Sequence, residues 1–294
     1  MRLTLIAPLL ALAWGLNWPA VKIMLSTIPP FTARGLGLGL GALLLLGLAA
    51  LQRKPLWPTR AAWPGIAFGG LFTVAIFNFC TAFAQLNTST SRAAVLTFTM
   101  PLMAAALAWI FLGERPGRRG VFALLLGAAG IGVLAAPVLQ GIGSAPTGAL
   151  IGLLFPLLAA AAWAVGTVFA KRWPPQGDRI VFTAWQLLLG GLAGGVAALI
   201  AGESWPSVWP PRVIAALTYH VLIATAVAYV LWYILLERLS VTVSSLTTLA
   251  VPVVGVLGAM ALVGDRPSAA DALGFALVLG AAALVLVRLK TAKA

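Results

Sequence analysis

Apolar runs of about 20 residues alternate with short polar stretches along the whole chain. Each run is long enough to cross the hydrocarbon core of a bilayer as an α-helix, which takes about 20 predominantly apolar residues. The pattern therefore predicts ten membrane-spanning helices joined by short loops. Their predicted bounds are 3–25, 31–51, 64–86, 92–112, 118–136, 148–171, 180–201, 212–236, 242–263 and 269–288.

The composition also indicates a lipid environment. Hydrophobic residues make up 62% of the 294 residues, and charged residues make up 9%. Soluble domains contain about 25% charged residues, and a soluble fold of this size cannot bury so large an apolar excess. We therefore predict an all-α integral membrane protein.

The basic residues predict the orientation of the chain. The net charge is +13, and most Lys and Arg residues flank the predicted helices. With both termini in the cytoplasm, fourteen of them fall on the cytoplasmic side and four, Arg34 among them, on the outer side, while Lys22 falls within a span. Cytoplasmic loops are enriched in Lys and Arg. The count predicts cytoplasmic termini and a bacterial-type inner membrane.

The sequence contains an internal repeat. FTMPLMAAALAWIFLGERPGRRG resembles TLAVPVVGVLGAMALVGDRPSAAD, so that Pro101 matches Pro252 at an offset of 151 residues. LAWGLNWPAVK resembles AAWAVGTVFAK, so that Trp14 matches Trp163 at an offset of 149. This internal copy argues against a cleaved signal peptide, which the first apolar run and its Ala-Leu-Ala also resemble. The predicted repeats are residues 1–140 and 141–294.

Each predicted repeat has five helices, and the odd number turns the second repeat upside down in the membrane. Inverted repeats are typical of secondary transporters, whose substrate site lies near mid-membrane at the repeat interface. A duplication that serves only packing is the alternative.

The layout resembles the drug/metabolite transporter superfamily, in its ten-helix EamA-type branch. The resemblance rests on AWGLNWPAVK near the start, on TSRAAVLTFTMPLMAAALAWIFLGERP, and on SVTVSSLTTLAVPVVGVLGAMALVGDRP in the second half. It is most similar to YddG-type exporters of aromatic and other neutral amino acids, and this similarity alone implies outward transport. Asp265 departs from the glutamate that the family pattern has at this position.

The first span carries polar and aromatic residues that a lipid-facing helix does not need. Trp14 and Trp18 lie four residues apart on one helical stripe, and Asn17 lies beside them. Pro19 removes a backbone donor and frees a carbonyl. These residues are candidates for the wall of a substrate path, with a packing role as the alternative. Lys22 lies near the outer end and is expected to extend its amine to the interface.

Other spans carry similar groups. Asn78, Thr81 and Gln85 follow one edge of the third span, and Tyr229 and Trp232 lie near the middle of the eighth. Hydrogen bonding between helices and an ordinary aromatic core are the alternatives. The residues predicted to bind substrate are Trp14, Asn17, Trp18, Asn78, Thr81, Trp163, Thr167, Tyr229, Trp232, Ser244 and Thr248.

Two further kinds of residue have predicted roles. Pro101 and Pro252 lie near the middle of matching spans and, with Pro19, are predicted hinges, because proline weakens a helix. A static kink is the alternative. His220 titrates near neutral pH and lies within a span, so it is a possible proton-linked residue. A neutral histidine with one hydrogen bond is the alternative.

The missing residue types limit the chemistry. None of the six acidic residues falls in the middle of a predicted span, which argues against proton-coupled export of drug cations. A single His and a single Cys make a catalytic or metal site hard to assemble. We expect no enzyme activity, cofactor or metal. The expected partners are a small-molecule substrate and membrane lipid, with no nucleic acid and no obligatory protein partner.

These features predict a secondary transporter that exports small neutral or zwitterionic metabolites by alternating access through a central cavity. Aromatic and other large neutral amino acids are the best candidates. A proton-coupled multidrug or purine-type efflux carrier is one alternative, and a membrane channel is another.

Overall fold

The computed structural model describes residues 3–113, 115, 117–140, 147–170, 173–174, 176–238 and 250–291. Within these residues the fold is entirely helical and has no β-strand. Eight helical stretches in the described ranges are long and apolar enough to cross a membrane. Shorter apolar stretches, Ala250–Val263 and Ala269–Ala281, lie where the sequence predicts the ninth and tenth spans.

The helices of the first half are α1 (Leu3–Gly15), α2 (Asn17–Leu25), α3 (Pro30–Leu51), α4 (Trp63–Gly69), α5 (Phe77–Asn87), α6 (Thr90–Thr97), α7 (Met100–Leu112) and α8 (Arg118–Gln140). Those of the second half are α9 (Thr147–Phe169), α10 (Arg179–Ile200), α11 (Pro211–Tyr219), α12 (Ala228–Arg238), α13 (Ala250–Val263) and α14 (Ala269–Thr291). A short 3₁₀ helix, Arg60–Ala62, leads into α4.

Several predicted spans are interrupted. Leu16 separates α1 from α2, and Phe98 and Thr99 separate α6 from α7. Two π-helical segments interrupt the third and eighth spans: π1 (Gly70–Ile76) joins α4 to α5, and π2 (His220–Val227) joins α11 to α12. They begin 150 residues apart, so they occupy corresponding places in the two halves. Such segments are rare in proteins and are frequent at functional sites.

Two of the predicted hinge prolines lie just after a break between two helices. Pro19 and Pro101 lie in the first turns of α2 and α7, where the missing N–H costs little because first-turn amides lack helical acceptors. The hydroxyl of Thr99 donates to the Leu96 carbonyl at 2.8 Å, which satisfies one carbonyl at the break. Pro252 lies in α13, just after residues outside the described ranges. Movement at these prolines stays a prediction.

Corresponding helices of the two halves pack directly on each other. A Cβ added to Gly194 of α10 would lie 2.8 Å from the Cα of Gly35 of α3, and one added to Gly191 would lie 2.8 Å from the Cα of Gly39. Position 35 therefore faces 194 and position 39 faces 191, so the two helices are antiparallel. Glycine on both sides permits this close backbone approach.

The helices α8 and α14 repeat this arrangement. A Cβ on Gly130 would lie 2.9 Å from Cγ2 of Val278, and one on Gly274 would lie 2.5 Å from Cγ of Leu134. This pair is therefore also antiparallel. Its two helices begin 151 residues apart, and α3 and α10 begin 149 residues apart. Antiparallel packing of corresponding helices is the geometry that an inverted repeat requires.

The outer surface carries large apolar side chains. Leu51 is 85% exposed, and Leu199 and Ile200 are each 83% exposed. Patches of this kind mark contact with lipid or with another protein. Many of the polar side chains, in contrast, point into the bundle.

Candidate functional site

A cavity lies between the two halves of the chain. Its walls come from α1, α2, α3 and α5 of the first half and from α9, π2 and α12 of the second, together with the first residues of α7 and α13. Its volume is about 50 Å³, counted as the space open to the centre of a water molecule. One water needs about 10–15 Å³ on that measure, so the cavity has room for a few waters.

Aromatic rings form one wall. The rings of Trp14 and Trp163, which correspond in the two repeats, meet edge to face with centroids 5.4 Å apart. The ring of Tyr229 lies 5.9 Å from that of Trp14. Trp232 is 1% exposed and packs 5.3 Å from Trp163, but it does not line the cavity. Trp18, Phe77 and Phe98 also line the cavity, so six Trp, Tyr and Phe rings of the described residues face the space and Trp232 packs behind them.

Aromatic side chains also bind the two π segments. The indole N–H of Trp14 donates to the carbonyl of Ala224 in π2 at 3.0 Å. The hydroxyl of Tyr229 donates to the carbonyl of Thr73 in π1 at 3.5 Å. Ala224 and Thr73 are 151 residues apart, so each half supplies a donor to the corresponding carbonyl of the other half. These bonds connect the cavity wall to the irregular segments.

His220, the first residue of π2, is buried against the cavity. Its Nδ1 lies 2.7 Å from Oδ1 of Asn17, so the imidazole donates through Nδ1. Its Nε2 has no hydrogen-bond partner among the described residues. A Cβ added to Gly37 would lie 2.4 Å from Nε2, so only glycine at this position of α3 leaves room for the ring.

Arg34 is the largest departure from the sequence prediction. The sequence counts it among the charges on the outer side, whereas the structure places it in the second turn of α3, 2% exposed and on the cavity wall. Its Nη1 donates to Oδ1 of Asn78 at 3.1 Å, and its Nη2 donates to Oγ1 of Thr81 at 2.9 Å. The long side chain reaches α5 because α3 packs beside it. The cavity is therefore cationic as well as aromatic.

Other cavity groups are neutral and incompletely paired. Oε1 of Gln85 and Oγ1 of Thr225 have no hydrogen-bond partner in the described part of the chain. The amide nitrogen of Asn78 donates to the Val74 carbonyl at 2.8 Å and to the hydroxyl of Tyr229 at 3.0 Å. No Asp or Glu from the described residues lines the cavity.

Three of the described carboxylates are engaged elsewhere. Asp271 binds Arg92 at 2.7 Å, and Asp178 binds Lys54 at 2.7 Å. Glu203 accepts from the backbone N–H of Thr32 at 2.7 Å and so caps the start of α3.

The structure brings most of the predicted binding residues together, while others lie apart. Thr167, in α9, and Trp232, in α12, are buried but do not line the cavity. Ser244 and Thr248 lie outside the described residues. Lys22 donates to the carbonyl of Gln85 rather than extending to the interface. Those on the cavity wall are Trp14, Asn17, Trp18, Asn78, Thr81, Trp163 and Tyr229, and His220 joins them.

The predicted binding set lacks three cavity residues that carry polar groups, Arg34, Gln85 and Thr225, although Gln85 lies on the polar edge noted in the sequence. The span predicted to begin at residue 31 already contains Arg34, and a charged residue within a predicted span is a signal for a functional position. For Thr225 the sequence offers only a hydroxyl in an apolar run, and π2 has no sequence signal of its own.

Comparison with known proteins identifies a family and individual relatives. The model of the EamA-like transporter family matches the chain twice, at residues 2–136 and 150–287. "Uncharacterized transporter YvbV" of Bacillus subtilis is 26% identical over all of this chain and 94% of its own length. "Probable amino-acid metabolite efflux pump" of Escherichia coli is 26% identical over 93% of this chain and 91% of its own length.

A solved crystal structure shares the fold, with a TM-score of 0.71 and 22% identity over 98% of each chain. The two family matches together cover most of the sequence, and the two relatives described above are named a transporter and an efflux pump. This protein is a multi-pass membrane transporter and belongs to the EamA-like transporter family.

Proposed function

We propose that this protein is a secondary transporter that exports small neutral or zwitterionic metabolites, above all aromatic and other large neutral amino acids. The proposal includes ten spans in two inverted five-helix repeats, an inner-membrane location, cytoplasmic termini and alternating access through the cavity. The observation that carries it is the cavity wall, in which both halves contribute aromatic rings beside amide and hydroxyl groups.

The wall suits a solute with one apolar end and one polar end. The rings of Trp14, Trp163 and Tyr229 offer flat apolar surface, and aromatic contacts of this kind stabilise a bound ring beyond simple burial. The amides of Asn17, Asn78 and Gln85 line the same cavity and place polar groups beside the rings. An amino acid with a large apolar side chain has both kinds of surface.

The small volume supports alternating access. A space for a few waters is too small for such a solute, so the walls must separate when it enters. Met100 and Val251 line the cavity, lie 151 residues apart, and directly precede Pro101 and Pro252. A change of direction at either proline would therefore move the wall, as the hinge hypothesis requires.

The names of relatives support export of amino-acid metabolites. The Escherichia coli relative, and one of Salmonella typhimurium that is 25% identical over 93% of this chain, both carry the name "Probable amino-acid metabolite efflux pump". The substrate and direction of this protein are proposed on that similarity together with the cavity chemistry.

Counterflow in liposomes tests the proposal. Liposomes that contain only the purified protein are preloaded with Phe, Trp, Leu and Met, and exchange of labelled amino acid is followed at equal pH on both sides. We expect saturable exchange. Uptake that requires a pH gradient and selects cationic drugs would instead support the proton-coupled efflux alternative, and flux without saturation would support a channel.

A pair of tryptophan variants ties the exchange to the cavity. Trp163→Ala removes a ring from the wall, so the substrate concentration for half-maximal exchange should rise. Trp205→Ala removes a ring that is 62% exposed and does not line the cavity, so the same quantity should stay unchanged. Equal kinetics in the two variants would contradict the proposed site.

A further inference from the structure

Among the Lys, Arg, Asp and Glu side chains whose exposure the structure describes, only that of Arg34 is buried, at 2% exposed. It lies within a helix that is long and apolar enough to span the membrane. Charged groups at such positions are costly, and they commonly mark a substrate or ion path.

The partners of the guanidinium are both neutral. Its two contacts are the amide oxygen of Asn78 and the hydroxyl of Thr81. The Nε atom has no hydrogen-bond partner, and Arg34 forms no ion pair with any acidic residue that the structure describes. A guanidinium has five N–H donors, so this one keeps donor capacity and its full charge in the cavity wall.

We propose that Arg34 binds the carboxylate of the transported molecule. The inference rests on the proposed function and deepens it, because it assigns the charged end of the substrate to one residue. The planar fork of a guanidinium matches a carboxylate with two parallel hydrogen bonds. A buried cation without a counter-ion is costly to the protein, and a bound carboxylate supplies that counter-ion.

The neighbouring groups fit the remainder of a zwitterion. Gln85 and Thr225 line the same cavity, and their buried Oε1 and Oγ1 atoms have no hydrogen-bond partner within the described ranges. Both are neutral acceptors for an ammonium group. A solute with a positive charge and no carboxylate would meet the guanidinium with no compensating contact, so Arg34 selects against cationic amines and drugs.

We call the proposed contact between Arg34 and the substrate carboxylate the anchor. Binding to the purified wild-type protein in detergent tests it directly. The probes are phenylacetate against phenylacetamide and phenylalanine against phenylalaninamide, measured by calorimetry. We expect each carboxylate to bind about 10- to 100-fold more tightly than its amide, the range typical of a hydrogen-bonded charge. Equal affinity within each pair, or no carboxylate binding at all, overturns the anchor.

Three variants locate the effect. Arg34→Gln should remove the preference for carboxylates, and Arg34→Lys should reduce it, because an ammonium lacks the planar fork. Asn78→Asp keeps the shape of the side chain and places a carboxylate where an oxygen lies 3.1 Å from Nη1. This internal counter-ion should abolish the preference in a folded protein, even if Arg34→Gln does not fold. An Asn78→Asp protein that keeps the full preference overturns the anchor.

Lys22→Gln is the matched control. It also removes a cation from the outer part of the first spans, but Lys22 does not line the cavity. The preference for carboxylates should persist in this variant, and its loss would show that general positive charge, and not Arg34, attracts the anion.

The two proposals fail in different ways. If the wild type shows no amino-acid counterflow but Arg34→Gln still loses the preference for phenylacetate, the proposed function fails and the anchor stands. If counterflow succeeds while Arg34→Gln and Asn78→Asp both bind phenylacetate like the wild type, the anchor fails and the proposed function stands.

Discussion

The side-chain amide of Asn78 donates a hydrogen bond to the hydroxyl of Tyr229 at 3.0 Å, and 151 residues separate the two. That separation is the offset between the matching prolines, so equivalent positions of the two repeats touch. The amide oxygen of Asn78 accepts from Arg34. One side chain therefore connects the buried guanidinium of the first half to an aromatic residue of the second.

Removal of the Tyr229 hydroxyl should loosen this connection. Tyr229→Phe leaves one N–H of the buried Asn78 amide without an acceptor and the Thr73 carbonyl without its aromatic donor. We expect a loss of about 1–3 kcal/mol in the free energy of unfolding and a higher substrate concentration for half-maximal exchange.

Tyr219→Phe provides the comparison, since its hydroxyl donates to the carbonyls of Leu12 and Ala13 outside the cavity. It should lower the unfolding temperature without a change in half-saturation. A Tyr229→Phe protein with wild-type stability and kinetics would show that the Asn78 bond contributes to neither.

Substitution of Trp14 should affect binding more than substitution of its neighbour Trp232. Trp14→Phe leaves a smaller ring on the cavity wall, so the substrate concentration for half-maximal exchange should rise. It also removes the N–H that donates to Ala224, a bond worth about 1 kcal/mol of stability. Trp232→Phe leaves a gap behind the wall and should lower the unfolding temperature alone. Counterflow titrations together with thermal unfolding separate the two effects, and a similar half-saturation in both variants would assign Trp14 to packing.

The hinge hypothesis predicts a kinetic effect at the paired prolines. Pro101→Ala and Pro252→Ala should slow maximal exchange several-fold, with a smaller change in the affinity measured by calorimetry, because alanine strengthens the helix at the bend. Pro156→Ala, inside α9 and away from the cavity wall, should change neither quantity. Parallel loss of rate and affinity, or no change, would remove the hinge role.

Adjacent glycines of α10 should respond in opposite ways to alanine. In Gly194→Ala the new Cβ would lie 2.8 Å from the backbone of Gly35, so the helices must separate, at a cost of about 1–3 kcal/mol. In Gly195→Ala nothing lies within 4 Å of the new Cβ, and the higher helix propensity should leave stability equal or raise it by up to about 1 kcal/mol. Thermal unfolding in one detergent compares them, and equal losses would contradict the close approach.

Much of the cavity wall could be predicted from the sequence. Trp14, Asn78 and Tyr229 stand out because polar and ring-bearing residues in apolar runs are expected to face away from lipid. The same logic over-selected Trp232 and Thr167, since a position near mid-span does not distinguish a residue on the wall from one packed behind it. The rotation of each helix about its own axis decides whether a residue lines the cavity, and the three-dimensional structure is needed to determine it.

Other features depend on contacts that no local pattern encodes. The sequence counts Arg34 among the outer-side charges because arginines near span ends usually face water, and its partners in α5 lie more than 40 residues further along the chain. The π segments carry no proline and have ordinary apolar composition. Their local sequence does not indicate the π conformation. The hydrogen bonds that Trp14 and Tyr229 donate to them come from the other half of the chain.

The antiparallel contact between α3 and α10 also limits how the two copies can diverge after duplication. Each glycine face is the surface against which its own duplicate packs, so a bulky substitution in one copy collides with the other copy rather than with lipid. Such changes can persist only with a compensating change across the contact. We therefore expect that substitutions at positions 35 and 39 arise together with substitutions at 191 and 194, and that these helices drift apart in sequence more slowly than the lipid-facing surface.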